Sequence, residues 1–141
     1  PEYHDPAFMK LVEDCCCDLV GKDRVKFDYE SWSTGSSDFG DVTCVMPGVQ
    51  FFAAGAIGTG HGIDYYVKDP NRMCVNAVKA QLFVADALLR DDAAAARKII
   101  ADYKPQYPSI KAYLDAINEL FLDKDAVQYD EHGNATVDFQ N

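Results

Sequence analysis

The sequence predicts an α/β or α+β fold in which a partial sheet is flanked by helices and the C-terminal half is helical. Short apolar runs bounded by turn residues occupy residues 25–57, which is typical of strands. Apolar residues recur at helical spacing before and after that stretch. The predicted order of elements does not by itself form a complete sheet of known topology, so the sheet is expected to be partial.

The first helix is predicted from its end signals and its apolar spacing. Asp5 is a typical N-cap residue, Pro6 occupies the first helical position, and Gly21 is a C-cap signal. Between these signals the apolar residues lie on one side of a helix: Phe8, Leu11, Val12, Cys15, Cys16 and Leu19.

Three strands are predicted to follow this helix. Residues 25–29 alternate apolar and charged side chains, which is the pattern of a half-buried strand. Residues 42–46 form a short apolar run that ends at a Pro-Gly pair. Residues 49–57 are almost continuously apolar, which suits a strand covered on both faces. The Ser- and Gly-rich residues 31–41 and the glycine-dense residues 58–62 are predicted to be loops.

The second half is predicted to hold three helices and a hairpin. Asp69-Pro70 repeats the cap-then-proline start of a long helix, and residues 92–103 form an alanine-rich helix that a proline ends. Ser109 begins another helix, whose apolar residues are Ile110, Tyr113, Leu114, Ile117, Leu120 and Phe121. Residues 127–139 alternate around a His-Gly-Asn turn, which indicates a β-hairpin.

Composition excludes some classes of function. The 141 residues are 48% hydrophobic with a net charge of −10, which fits a single domain or domain fragment over residues 1–141. A nucleic-acid partner is not expected, because neutralising phosphates requires clustered Lys and Arg. A membrane partner is not expected, because no apolar run reaches the roughly 20 residues of a span. The five cysteines lack zinc-site spacing and are predicted to be buried free thiols in a reducing cytoplasm.

Two segments hold the side chains that could carry chemistry. His61 follows an apolar strand in the glycine-dense loop, where small neighbours leave room for a metal ion and a substrate, although a lone histidine is often structural or solvent-exposed. Residues 33–41 gather hydroxyls and two carboxylates, which could hold a cation or polar ligand or form a solvated turn. His4 and His132 are expected at the surface. One metal ligand is fewer than the three of a catalytic zinc site.

Two motifs occur in order in the first half of the chain. Residues 35–43 read Gly-Ser-Ser-Asp-Phe-Gly-Asp-Val-Thr, and residues 58–61 read Gly-Thr-Gly-His after an apolar run. This pair resembles the aminobenzoyl-glutamate hydrolase branch of the dizinc aminoacylase and carboxypeptidase family. That branch has Gly-Ser-Thr-Asp, one residue, Gly-Asp-Val-Ser, and then Gly-Thr-Pro-Gly-His. The family's proline is missing here, and Gly62 departs from the Ser or Trp of the family pattern.

The resemblance implies an architecture and a set of site residues. Enzymes of this family have a zinc-binding α/β domain interrupted by a lid or dimerisation domain, and most metal ligands and the general-base Glu precede that insertion. The chain would be the C-terminal portion of such a catalytic domain, without the lid and the N-terminal half. His61 would be the final histidine ligand of zinc or manganese. The residues that would bind substrate are Ser36, Ser37, Asp38, Gly58 and Thr59; no catalytic residue is assigned.

The implied activity is hydrolysis of N-acyl or aminobenzoyl amino acids or dipeptides by the complete enzyme. The chain by itself is expected to be inactive and to bind zinc weakly or not at all. Its partners would be the missing N-terminal half, a small-molecule amide substrate and, in a homo-oligomer, a second copy. The alternative is a stand-alone, non-catalytic binding or assembly module derived from such a half-domain, and a third interpretation is a chance match in a small globular protein.

Overall fold

A computed structural model describes residues 2–27, 29, 37–121 and 125–137. These residues form helices and two small antiparallel two-stranded sheets, which agrees with the predicted mixed class in its α+β form. The chain divides into two compact units, Pro1–Gln106 and Tyr107–Asn141.

Helix α1, Pro6–Val20, has the predicted end signals. The Asp5 carboxylate accepts a hydrogen bond from the Phe8 amide at 2.8 Å, which satisfies one of the free donors in the first turn. Gly21 ends the helix with φ 87°, and its N–H donates to the Cys17 carbonyl. Local side-chain and backbone chemistry therefore fixes both ends.

Two of the three predicted strands are wrong. A 3-10 turn follows α1 at Lys22–Arg24, and the described residues 25–27 belong to no strand. Helix α2, Phe39–Thr43, begins inside the predicted 31–41 loop and continues into the apolar run 42–46. In residues 25–27 the alternation of apolar side chains reflects partial burial rather than pairing with another strand. The apolar run 42–46 belongs to the end of α2 and the turn that follows it.

The third predicted strand forms only at its end. Strand β1, Ala56–Ile57, pairs in antiparallel register with β2, Tyr66–Val67. Residues 49–54 make no backbone hydrogen bond with any described residue, and the Phe52 side chain is 85% exposed. A strand requires a neighbouring backbone as well as an apolar sequence, and the described part of the chain supplies none along these six residues.

The long helix α3, Asn76–Asp102, starts as predicted and is interrupted once. Asp69 Oδ1 accepts a hydrogen bond from the Arg72 amide at 3.0 Å, and a π-helical stretch, Asn71–Val75, leads into the helix. Residues 90–93 then leave the right-handed helical conformation, so that two helical stretches result, as the separate prediction for residues 92–103 anticipated.

The interruption in α3 is unusual because it contains no glycine. Asp91, Asp92 and Ala93 have φ values of 54°, 58° and 56°, all in the left-handed region. For a residue with a Cβ this conformation costs about 1–2 kcal/mol, and Asp tolerates it better than Ala. The rest of the fold must therefore hold this segment in place.

A small core joins α1 to α3. Its buried members are Val12, Cys15 and Val84, which are 1%, 7% and 7% exposed. Partly buried side chains pack around them: Phe8, Leu11, Cys16, Phe27, Val49, Phe51, Ala87 and Leu88. The segment 49–54 is thus anchored by its side chains on one side, although its backbone is unpaired.

Thr43 connects three parts of the first unit. It is fully buried, and its hydroxyl accepts from the Tyr3 amide at 3.1 Å and donates to the Gly40 carbonyl at 3.1 Å. The Tyr103 hydroxyl donates to the Thr43 carbonyl. Burial raises the pKa of the Tyr103 phenol, so this donor keeps its proton over the whole physiological range.

The second unit consists of α4 and a hairpin. Ser109 caps α4, Ile110–Leu120, by accepting from the Ala112 amide at 3.1 Å. Strands β3, Val127–Tyr129, and β4, Ala135–Val137, pair in antiparallel register, which confirms the predicted hairpin over the described residues. No helix in the described part of the chain is long and apolar enough to cross a membrane.

The cysteines differ in burial. All five are free, but only Cys15 is buried, and Cys74 is exposed, contrary to the prediction that the thiols are buried. Cys74 lies in the π-helical lead-in to α3, where its side chain is outside the core. Burial raises the pKa of the Cys15 thiol, which lowers its thiolate fraction near neutral pH.

Substituting Ala93 tests the strain in α3. We expect Ala93→Gly to stabilise the protein by about 1 kcal/mol, because glycine adopts the left-handed conformation without steric cost. Ala96→Gly, in a right-handed part of the same helix, should destabilise it by about 1 kcal/mol. Urea unfolding followed by circular dichroism measures both, and equal destabilisation by the two variants would contradict the left-handed geometry.

Thiol alkylation tests the burial of the cysteines. In the folded protein, iodoacetamide should modify Cys74 at least about tenfold faster than Cys15, because Cys15 is shielded and less ionised. Peptide mass spectrometry over time gives both rates. In urea the two rates should converge; equal rates in the folded protein would show that Cys15 is not in the core.

Candidate functional site

The loop that carries His61 is closed at its base by backbone hydrogen bonds. The Gly55 carbonyl accepts from the Lys68 amide at 2.8 Å and from the Asp69 amide at 2.9 Å. Next to this point, the β1–β2 pair joins Ala56 to Val67. The residues between the two strands therefore leave and re-enter the fold at one fixed point.

Two successive turns shape the loop. The Gly62 amide donates to the Thr59 carbonyl at 2.7 Å, and the Tyr65 amide donates to the Gly62 carbonyl at 3.1 Å. The Asp64 carboxylate lies across the first turn, where Oδ2 accepts from the Thr59 amide at 3.1 Å and from the Thr59 hydroxyl at 3.3 Å. The loop is thus held together by its own groups.

Two glycines are required by close approaches within the loop. A Cβ on Gly58, which has φ 101°, would lie 2.2 Å from the Asp64 carbonyl oxygen. A Cβ on Gly62 would lie 2.4 Å from Asp64 Oδ1. With Asp64 in this place, no residue larger than glycine fits at positions 58 and 62, whereas Gly60 has open space around it.

His61 occupies the strained position of the first turn. Its φ of 62° is in the left-handed region, although glycines precede and follow it. A turn over residues 59–62 with positive φ at its third residue has the pattern of a type II turn, which favours glycine there. Holding a histidine in this conformation costs on the order of 1 kcal/mol. Strain of this kind concentrates at functional sites.

The His61 imidazole is available for a ligand. The side chain is exposed and lines an open hollow with Gly60, Gly62 and Tyr65. The His4 ring lies 3.0 Å from Glu2, and the His132 ring lies 3.6 Å from Glu131. The imidazole of His61 has no hydrogen-bond or ion-pair partner among the described residues.

The other predicted site residues are only partly brought together. Gly58 and Thr59 share the loop with His61, and both the amide and the hydroxyl of Thr59 are already bound by Asp64. Ser37 and Asp38 lie exposed at the start of α2, where the Ser37 hydroxyl accepts from the Phe39 amide at 3.1 Å.

No polar contact joins Ser37 or Asp38 to the His61 loop within residues 2–27, 29, 37–121 and 125–137. Ser36 lies outside the described residues. The two sequence motifs therefore occupy separate elements of the first unit, one at the start of α2 and one between β1 and β2.

The described residues supply fewer metal donors at this site than a catalytic zinc requires. Within them, no group of three or more His, Cys, Asp or Glu side chains is placed to hold a metal ion. A catalytic zinc takes three protein ligands and leaves a position open for water or substrate. The imidazole of His61 fits the donor chemistry of zinc, and further ligands would have to come from other residues.

Sequence reasoning missed Asp64 and Tyr65. Asp64 holds the loop through Thr59, and Tyr65 lines the hollow beside His61. A carboxylate shortly after a glycine-rich turn commonly accepts from nearby backbone amides, so Asp64 could have been noticed as a turn residue. Nothing in the sequence pattern marks Tyr65, because its position depends on the second turn.

Comparisons with protein-family models, curated proteins and solved structures find no match to this chain. A functional proposal therefore depends on the geometry of the His61 loop and on the two sequence motifs. The loop geometry and the second motif, Gly-Thr-Gly-His, concern the same residue, His61.

Substituting His61 tests whether its left-handed backbone lowers the free energy of unfolding. We expect His61→Gly to stabilise the fold by about 0.5–1 kcal/mol, because glycine removes the left-handed strain. His61→Ala keeps the strain and should change stability by less than about 0.5 kcal/mol. Thermal and urea unfolding measure both; a destabilised His61→Gly variant would mean that the imidazole supports the fold.

Proposed function

We propose that this chain contributes one zinc ligand, His61, and part of the substrate cleft to a dizinc amidohydrolase that cleaves N-acyl or aminobenzoyl amino acids. The remaining metal ligands and the general base would lie on a polypeptide segment outside these 141 residues. On this proposal the chain is the C-terminal portion of a zinc-peptidase-type catalytic domain and is inactive by itself.

The observation that carries the proposal is the conformation of His61. The exposed imidazole of His61 has no described partner, and its backbone is left-handed, a conformation that a glycine at this position would adopt at lower cost. Its motif, Gly-Thr-Gly-His, is the one in which the family resemblance expects the final histidine ligand. A structural role would give the ring a partner, so the geometry supports a role in binding something external.

The unpaired segment 49–54 supports an incomplete domain over a stand-alone module. It leads directly into the strand that carries the His61 loop, and its backbone donors and acceptors meet no described residue. Phe52 is 85% exposed on this segment. A self-sufficient module would cover such a surface, whereas a portion of a larger domain would leave it for the rest of that domain.

The loop also offers a place for the carboxylate of the substrate. The amide and hydroxyl of Thr59 are occupied by Asp64, so they are not free to bind it. The backbone N–H groups of Gly60 and His61 have no described acceptor. Successive N–H groups in a turn with a left-handed residue bind anions, so these two amides are the proposed contact in place of Thr59.

Reconstitution tests the proposal. The chain is mixed with the N-terminal half of an aminobenzoyl-glutamate hydrolase, and association is measured by analytical ultracentrifugation before activity is assayed. Zinc-dependent hydrolysis of aminobenzoyl-glutamate should appear only in the mixture. His61→Ala should lower it by roughly a hundredfold or more, because removing even an outer-shell partner of a metal ligand costs 10–100-fold.

His132→Ala is the matched control, because His132 is an exposed histidine far along the sequence, in the hairpin of the second unit, and its loss should leave the rate unchanged. An associated mixture whose rate does not respond to His61→Ala would refute the role of this residue. Zinc calorimetry on the chain alone should show no tight binding. Tight binding that His61→Ala abolishes, or hydrolysis by the chain alone, would refute the incomplete site.

A further inference from the structure

The sequence through the break in α3 favours an uninterrupted helix. Residues 86–98 contain neither glycine nor proline, and four of them are the consecutive alanines 93–96. Alanine has the highest helix propensity, and a helix normally stops at glycine or before proline. Nevertheless, Asp91, Asp92 and Ala93 are left-handed. The local preference of this segment and its conformation in the fold are therefore opposed.

Contacts made by the segment after the break hold the bent form. Ile99 is buried, and the Tyr103 hydroxyl donates to the Thr43 carbonyl. The Gln106 amide donates to the Cys44 carbonyl at 3.0 Å. The two hydrogen bonds join Tyr103 and Gln106 to Thr43 and Cys44 at the end of α2, so the chain after the break is tied to α2 while the first part of α3 packs on α1.

One ion pair is specific to the bent form. Asp92 and Arg97 are five residues apart, and their side chains approach to 2.6 Å. In a continuous α-helix, residues at this separation point about 140° apart and do not meet. The pair Asp86–Arg90, four residues apart, fits either form.

We propose that the chain associates with a second copy of itself by exchanging residues 94–106, together with the part of the chain that follows them, with residues 90–93 as the hinge. If the hinge becomes right-handed, α3 is one continuous helix of 27 residues, about 40 Å long. Its end is then carried away from its own α2 and makes the same contacts with α2 of the second copy. The contacts of residues 94–106 with α2 are regained in the dimer, whereas the strain and the Asp92–Arg97 ion pair are lost. A strained hinge whose strain is relieved on exchange favours domain swapping.

The test compares wild type with two hinge variants that act in opposite directions. The full chain is unfolded in urea, refolded at low and at high protein concentration, and analysed by size exclusion with light scattering. Asp91→Ala favours the continuous helix and should increase the dimer association constant several-fold. Ala93→Gly favours the bend in both copies and should decrease it by about tenfold or more. Neither variant removes a contact of residues 94–106.

A disulfide identifies the exchanged segment. The Gln106 amide donates to the Cys44 carbonyl at 3.0 Å, so the two backbones are close enough for a Gln106→Cys variant to form a disulfide with Cys44. The other cysteines, Cys15, Cys16, Cys17 and Cys74, are replaced by alanine in this variant. Oxidation should yield a covalent dimer from the dimer peak and an internally bridged monomer from the monomer peak, as a non-reducing gel distinguishes.

Three outcomes would overturn the proposal. The first is a chain that stays monomeric at high concentration even as Asp91→Ala. The second is a dimer whose yield does not fall in Ala93→Gly. The third is a dimer peak in which oxidation bridges each chain internally, because that dimer would keep residues 94–106 on their own α2.

Discussion

The His61 loop depends on one carbonyl. Gly55 accepts from two successive amides, those of Lys68 and Asp69, and this pair fixes where the loop returns and where the lead-in to α3 begins. The approach is so close that a Cβ on Gly55 would lie 2.6 Å from the Asp69 carbonyl oxygen and 2.8 Å from Met73. Because Asp69 also caps the Arg72 amide, the same few atoms connect the candidate site to the helix that packs on α1. A shift at Gly55 would move the site and the core together.

The loop itself combines rigidity with an exposed imidazole. The hydrogen bonds of Asp64 and of the two turns fix the backbone on both sides of His61, and none of these bonds involves the imidazole ring. The strain at His61 is therefore held by neighbouring residues rather than by the ring's own interactions. A side chain that is positioned by its backbone and left free at its tip can bind a ligand without first giving up a protein contact, and such preorganisation lowers the cost of binding.

The parts of the fold that the sequence predicts are those with local causes. Asp5, Asp69 and Ser109 each satisfy an amide within three residues, so the starts of three helices follow from short-range chemistry. Strands depend on a second backbone that the local sequence does not contain, and residues 49–54 show an apolar run without one. The motif predicts His61 as a ligand, and this stays a prediction. Its left-handed backbone and the role of Asp64 arise from turn geometry that residue spacing does not encode.

The two sites of left-handed strain differ in what could relieve them. At His61, the turn is closed by bonds between residues at most five positions apart, so the backbone cannot relax without breaking those bonds. At residues 91–93, the strain is imposed from outside, by contacts that join Tyr103 and Gln106 to residues 43–44 about 60 positions earlier. Contacts between distant segments can be made equally well with an identical segment of another molecule, but a tight turn cannot be completed by a second chain. The left-handed strain at His61 therefore cannot be relieved by association, whereas the strain at residues 91–93 can. Only the conformation of α3 is therefore expected to depend on protein concentration.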